Sequence, residues 1–324
     1  MTMFLQRTPV YFTLLLVVVL APSCGAPVPA PDSRSGYVDV EHGRIFYEMH
    51  HAEAPGTPLV MIHGGPGSTS CYFGLLDELI TDRPVIRYDQ LGTGLSDRPA
   101  TTSYWHLEHF VSEIDALRDA LDLDEVHLLG SSWGGAVAAE YALTTPALGL
   151  KSLILAGPLL STPRWLEDAT SLIGELPEDL QAVIRKHEAA GTFDNPEYLA
   201  ATDSFYARFL YHQQPPRDVP ECDGVSGNTD MYEAMWGPSE FTATGTLLDY
   251  DRTGVLDDIR VPTLLIAGEF DEARPETMHE FAALIPDARV EVLDDAGHVS
   301  MVDQPIAFAH AVTRFLARIE PQQP

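Results

Sequence analysis

Short segments rich in apolar residues recur along this chain, and each leads within two residues into glycine or aspartate. Segments 58–62, 84–88, 125–129, 150–155, 261–266 and 289–293 have this form. Each reads as a strand, and 58–62, which is apolar without alternation, as one buried on both faces of a parallel sheet. Two half-polar segments, 36–40 and 44–49, flank His42-Gly43 and predict a hairpin at the start. Between the runs the period changes: Phe110, Ile114, Leu117 and Leu121 fall at helical spacing over 107–121, and 275–284 and 305–319 also read as helices. Strand and helix therefore alternate, which predicts an α/β fold with a mostly parallel central sheet and helices on both faces.

The alternation stops at Gly157. From Ser161 to about Glu240 the chain offers helix starts instead, Thr162-Pro163, Leu176-Pro177 and Asn195-Pro196, with proline where a first turn tolerates it. Tyr198, Ala201, Phe205, Tyr206 and Phe209 make one stripe, and Met231, Tyr232, Met235 and Trp236 another. The expected organisation is a core in two parts, 36–158 and 246–320, interrupted by a helical cap over 159–245 that packs on the sheet and lends aromatic side chains to a pocket.

Composition narrows the function. The 324 residues, 45% of them hydrophobic, can build one large core with an inserted layer. Nineteen Lys and Arg stand against 48 Asp and Glu, a net charge of -29, which argues against partners such as nucleic acid or an anionic membrane surface. Such acidity suits a solubilising surface or the attraction of cationic substrates. No CxxC, HExxH or clustered His/Cys spacing appears, so neither a metal site nor a cofactor is expected.

The first residues read as an address rather than as fold. Arg7 precedes the apolar run 10–20, too short for a comfortable membrane span, and Ala21-Pro22-Ser23-Cys24 follows. Residues 1–23 are expected to be a secretory signal. Small residues before a cysteine resemble a bacterial lipoprotein processing site, with Cys24 lipidated and 24–35 a flexible tether. Plain cleavage near Ala26 or Ala30, and an uncleaved anchor, are the alternatives. Any membrane attachment would run through Cys24, and Cys71 and Cys222 remain free to pair or not after export.

The chemistry centres on 128–139, LLGSSWGGAVAA, where a buried strand runs into Gly130-x-Ser132-x-Gly134 and then a helix. A serine is a weak nucleophile and must stand on a sharp turn where a base can reach it; flanking glycines permit that turn. The order Ser132, Asp271, His298 then gives nucleophile, orienting acid and base. Asp271 directly follows a buried strand, which favours it over Asp294, Asp295 and Asp303. The turn His63-Gly64-Gly65-Pro66-Gly67 lacks the lysine of a phosphate loop and suits an oxyanion hole, made by the backbone N–H groups of Gly65 and Trp133. The Trp133 side chain is expected to form pocket wall, His63 to hold its loop rather than to act as base, and the loop 89–97 to be structural.

Five motifs together are specific. His63-Gly64-Gly65-Pro66-Gly67, Asp89-Gln90-x-Gly92-x-Gly94-x-Ser96, Gly130-x-Ser132-x-Gly134-Gly135, Gly237-Pro238-Ser239-Glu240-Phe241 and Gly268-x-x-Asp271 resemble the proline iminopeptidase family of α/β-hydrolases, from about Gly36 to the last helix. The resemblance implies release of an N-terminal residue, often proline, from a short peptide or amino acid amide substrate, with the free amine held by carboxylates. Glu240 and Glu272 match that role; Glu269 and Glu233 are weaker candidates. Two other readings stay open: an exported esterase or lactonase, which needs the triad but neither glutamate, and a non-catalytic surface lipoprotein. Many relatives are cytoplasmic, so the leader sets this chain apart.

Overall fold

The computed structural model describes residues 33–145, 148–214 and 216–320. The expectations for the signal, for lipidation of Cys24 and for most of the tether lie outside the described residues. Two strands, β1 (Arg34–Val40) and β2 (Gly43–His50), form the expected hairpin around Glu41-His42, with His42 at φ 76°. β1 begins two residues earlier than the sequence pattern predicts, because Arg34 and Ser35 pair with Met49 and Glu48.

The chain continues through β3 (Leu59–Ile62), α1 (Gly74–Asp77), β4 (Val85–Asp89), α2 (Leu107–Ala120), β5 (Val126–Ser131), α3 (Trp133–Thr144) and β6 (Leu150–Ala156). After an all-helical stretch come β7 (Thr263–Gly268) and β8 (Ala288–Leu293). The eight strands order as β1-β2-β4-β3-β5-β6-β7-β8; β2 pairs antiparallel with β1 and β4, and the rest of the sheet is parallel. The fold is thus the α/β arrangement that the alternating pattern predicts.

Burial explains the apolar runs. In β3, Val60 and Ile62 enter one core while Leu59 and Met61 enter another on the opposite face. The first core takes Phe110, Ile114 and Leu117 from α2, Val137 from α3, and Met278 and Phe281 from α8 (Pro275–Leu284). On the other face lie Phe308, Val312, Phe315 and Leu316 of the last helix. Each such side chain stabilises the fold by about 1.5–3 kcal/mol through burial alone.

Between β6 and β7 stand α4 (Thr162–Ile173), α5 (Glu178–Ala190), α6 (Pro196–Phe209) and α7 (Thr229–Met235); α9 (Ser300–Asp303) and α10 (Pro305–Ile319) close the chain. Ser161 caps α4 through Arg164 N–H, and Asn195 caps α6 through Glu197 N–H at 2.9 Å. The two aromatic stripes part company. Tyr198, Phe205 and Phe209 make a core of their own with Leu172, Ile184 and Phe241, whereas Met231, Met235 and Trp236 join the sheet-face core. Cys71 and Cys222 are joined in a disulfide, which ties the turn after the His63–Gly67 loop to the segment entering α7.

Candidate active site

Ser132 stands between β5 and α3 at φ 56°, ψ -118°, a conformation an L-residue adopts only under constraint. Close packing supplies the constraint. A Cβ at Gly130 would clash with the Gly134 carbonyl, one at Gly134 with the Ile62 carbonyl, and one at Gly64 would come within 3.0 Å of the Ser132 Cβ. Missing side chains therefore let α3, β3 and the His63–Gly67 loop converge on the serine.

Asp271 and His298 reach the same point from the ends of β7 and β8. Nδ1 of His298 contacts Oδ1 of Asp271 at 2.7 Å, and Asp271 also accepts N–H bonds from Ala273 at 2.8 Å and Gly268 at 3.2 Å. A carboxylate fixed by two backbone donors orients the imidazole. The backbone N–H of His298 donates to Phe209 O at 2.8 Å and Val299 N–H to Leu210 O at 3.0 Å, so the end of α6 pins the histidine loop. The Trp165 ring packs edge-on at 5.3 Å from the imidazole.

The competing acids lie elsewhere. Asp294 and Asp295 are exposed. Buried Asp303 accepts N–H bonds from His212 and Gly297, each at 2.8 Å, and from Gln213 at 3.1 Å. It braces the turn that carries His298 against the end of α6, a role the sequence alone did not signal.

Ser132 and His298 line a cavity of about 300 Å³ together with Gly64–Ser68, Tyr72, Tyr211, Asn228, Tyr232 and Glu240. Glu240 is held by its backbone: its N–H donates to the Tyr206 hydroxyl at 3.2 Å, and its carbonyl accepts the Trp165 indole N–H at 2.8 Å. Burial pushes its carboxyl above the usual range, against the opposing pull of His298 and Tyr232. Glu272, 1% exposed, has no hydrogen-bond partner for either carboxylate oxygen among the described residues. One of them lies 3.9 Å from Nε2 of His298. Burial, then the neighbouring Glu240, push this carboxyl well above its usual range. Burial lowers the His298 pKa, but Asp271 and the two glutamates outweigh it and raise it to about 9. Glu269 and Glu233 are exposed. Among the described residues no group of three or more His, Cys, Asp or Glu is arranged to hold a metal ion.

Around Gly65 and Trp133 the structure corrects one expectation. The Trp133 side chain is fully buried, its indole N–H donating to Gln90 Oε1 at 2.9 Å, and it forms core rather than pocket wall. Its backbone N–H opens α3, where no intrahelical acceptor exists. His63 is buried and bonded on both ring nitrogens, to Gly64 O of its own loop at 2.9 Å and from Gln90 N–H of the loop after β4 at 3.0 Å, which leaves it no path to a substrate proton. Sequence reasoning missed Gln90, Tyr72, whose hydroxyl accepts Gly64 N–H at 2.8 Å, and Asp303. Only Gln90 stood inside a motif that could have flagged it.

With this geometry in view, comparison with known proteins is direct. Residues 57–305 match the model of the alpha/beta hydrolase fold. The chain is 42% identical over 286 residues to the proline iminopeptidase of Heyndrickxia coagulans, covering 88% of this chain and 99% of that one. Among solved structures it is similar to the proline iminopeptidase of Mycobacterium smegmatis, at TM-score 0.80 and 34% identity over 88% of this chain and 98% of the other. It is also similar to VinJ, at TM-score 0.81 and 35% identity over 88% and 99%. The chain belongs to the proline iminopeptidase family of the α/β-hydrolase fold.

Proposed function

We propose that the protein is a serine aminopeptidase that releases N-terminal proline from short peptides and amino acid amides. Ser132 Oγ attacks the carbonyl of the first residue while His298 Nε2 takes its proton, and Asp271 holds the imidazolium. The N–H groups of Gly65 and Trp133 receive the negative charge that forms on the carbonyl oxygen. His298 then returns the proton to the departing amine, the C–N bond breaks, and water hydrolyses the prolyl ester on Ser132.

The observation that carries the reading is two carboxylates around His298: half-buried Glu240, which lines the cavity with Ser132, and fully buried Glu272, 3.9 Å from Nε2 of His298 with neither oxygen hydrogen-bonded among the described residues. Leaving a carboxylate unpaired in a dry site is costly, and a substrate ammonium removes that cost. A clamp 3.9 Å from the base nitrogen also leaves little chain length upstream of the scissile bond, which is the geometry of an exopeptidase. The proline iminopeptidases to which the chain is similar in sequence and structure support it, and residues 159–245 act in this reading as the cap that carries Glu240.

We also propose that the protein works outside the cytoplasm, with Cys24 as a lipid anchor. The apolar run 10–20 and the small residues before Cys24 support this, as does the Cys71–Cys222 disulfide, since disulfides persist in oxidising compartments. Mass spectrometry of the membrane fraction tests it: a diacylglyceryl group on Cys24 is expected, and a soluble cytoplasmic protein beginning at Met1 would refute it.

The activity is tested by incubating the protein with a proline-leading tripeptide and its N-acetylated form. Free proline should appear only from the first. Equal cleavage of both, or of neither, would overturn the assignment.

A further inference from the structure

The two amides of the oxyanion hole, those of Gly65 and Trp133, lie 68 residues apart in the chain, and one buried side chain touches both supports. Gln90 follows β4, the neighbour of β3, and is fully buried. Its Nε2 donates to His63 O at 2.8 Å, its backbone N–H donates to His63 Nε2 at 3.0 Å, and its Oε1 accepts the Trp133 indole N–H at 2.9 Å. We infer that Gln90 is a positioning residue that sets the Gly65 and Trp133 amides relative to each other, through His63 on one side and the indole on the other. The inference rests on reading Ser132 as nucleophile and these amides as its oxyanion hole.

The chain of constraint can be followed atom by atom. A backbone N–H only donates, so Nε2 of His63 must accept from Gln90 and the ring proton must sit on Nδ1. That proton then donates to Gly64 O at 2.9 Å. In a trans peptide the carbonyl and the N–H point in opposite directions, so fixing Gly64 O fixes where the Gly65 N–H points. On the other side, the indole anchors the first residue of α3, whose backbone N–H is the second donor. Every bond in this relay is buried, where a lost partner is not replaced by water. Gln90 of the loop 89–97 thereby gains a role in catalysis beyond holding its own turn.

The test uses Gln90→Met in the full chain, which keeps the volume and removes the side-chain bonds. On a prolyl arylamide, kcat should fall by roughly 10- to 100-fold, with KM within about threefold, because an oxyanion donor acts mainly in the transition state. Phosphonylation of Ser132 by a fluorophosphonate, which forms a similar oxyanion, should slow in parallel, while inhibition by free proline stays the same. In the parent, nitrogen-15 NMR should show Nδ1 of His63 protonated and Nε2 bare. If Gln90→Met does not fold, Trp133→Phe removes the indole bond alone and should lower kcat in the same selective way. A folded variant with unchanged kcat, or one losing turnover and proline binding together, overturns the positioning role. A parent whose Ser132 resists the fluorophosphonate, with Ser132→Ala still active, overturns the nucleophile itself.

Discussion

Glu272 sets one carboxylate oxygen 3.9 Å from Nε2 of His298 and finds no hydrogen-bond partner among the described residues. The base and an unsatisfied carboxyl group thus share one dry corner, with Glu240 as a third titratable group that acts on both. This corner makes the site more than a general serine hydrolase, because a plain ester gains nothing from it. It also sets the pH behaviour of the enzyme.

His298 titrates at about 9 despite its burial, because Asp271, Glu272 and Glu240 together favour the imidazolium. A general base works only when neutral, so kcat/KM on an ester lacking an amine should rise with pH through a limb near 9, not near the ordinary histidine value of about 6.5. Glu272→Gln removes a negative neighbour and should move that limb to lower pH. A limb that stays in place would contradict the coupling.

The same carboxylate should cost stability. Its pKa is raised in the folded state, so the folded protein holds a proton that the unfolded chain gives up, and stability falls as pH rises above the unfolded value of about 4.5. Glu272→Gln escapes this loss. Its melting temperature should exceed the parent's by roughly 2–4 °C at pH 8, with the gap closing near pH 4. Thermal denaturation at the two pH values checks the sign.

Gly157 offers a steric test of the acid–base pair. A Cβ there would lie 2.7 Å from the His298 ring and 3.2 Å from Asp271 Oδ2, at a φ of 49° that already disfavours alanine. Gly157→Ala should lower kcat by about 100-fold or more, as expected when reacting groups are misplaced by an ångström. Wild-type turnover in a folded Gly157→Ala variant would mean that His298 need not hold this position.

The disulfide spans 151 residues and holds the segment before Asn228 near the cavity. Asn228 N–H donates to Gly67 O at 2.7 Å, so the Cys222–Asn228 segment and the turn around the His63–Gly67 loop are linked twice. Replacing both Cys71 and Cys222 by alanine should cost about 2–4 kcal/mol, read from denaturant unfolding, and should raise KM more than it lowers kcat.

The strands and the nucleophile turn were legible because their causes are local. The unbroken apolar run of β3 reports burial on two faces, while β8, with its charged residues, lies half-exposed at the sheet edge, and the glycines around Ser132 report close approach, without knowledge of distant contacts. Asp271 could be preferred over three rivals from its place after a strand, and the structure gives a separate use to Asp303, as a brace for the histidine turn. Trp133 was misread because a tryptophan beside a nucleophile looks like pocket wall; a hydrogen-bond acceptor 43 positions away draws it inward. The roles of Gln90 and Tyr72 were not legible for the same reason, since their partners, His63 and Trp133 for Gln90 and Gly64 for Tyr72, come from other segments of the chain. The pairing of Cys71 with Cys222 likewise depends on tertiary placement that spacing does not encode.

The most direct test of the account measures kcat/KM of Glu240→Gln and Glu272→Gln on a prolyl arylamide and on a p-nitrophenyl ester without an amine. Each variant should lose roughly 100-fold or more on the free-amine substrate, as when one partner of a buried charge pair is removed, and less than about tenfold on the ester. Equal losses on both substrates would show that the carboxylates serve the catalytic machinery in general, and the amine clamp would fall.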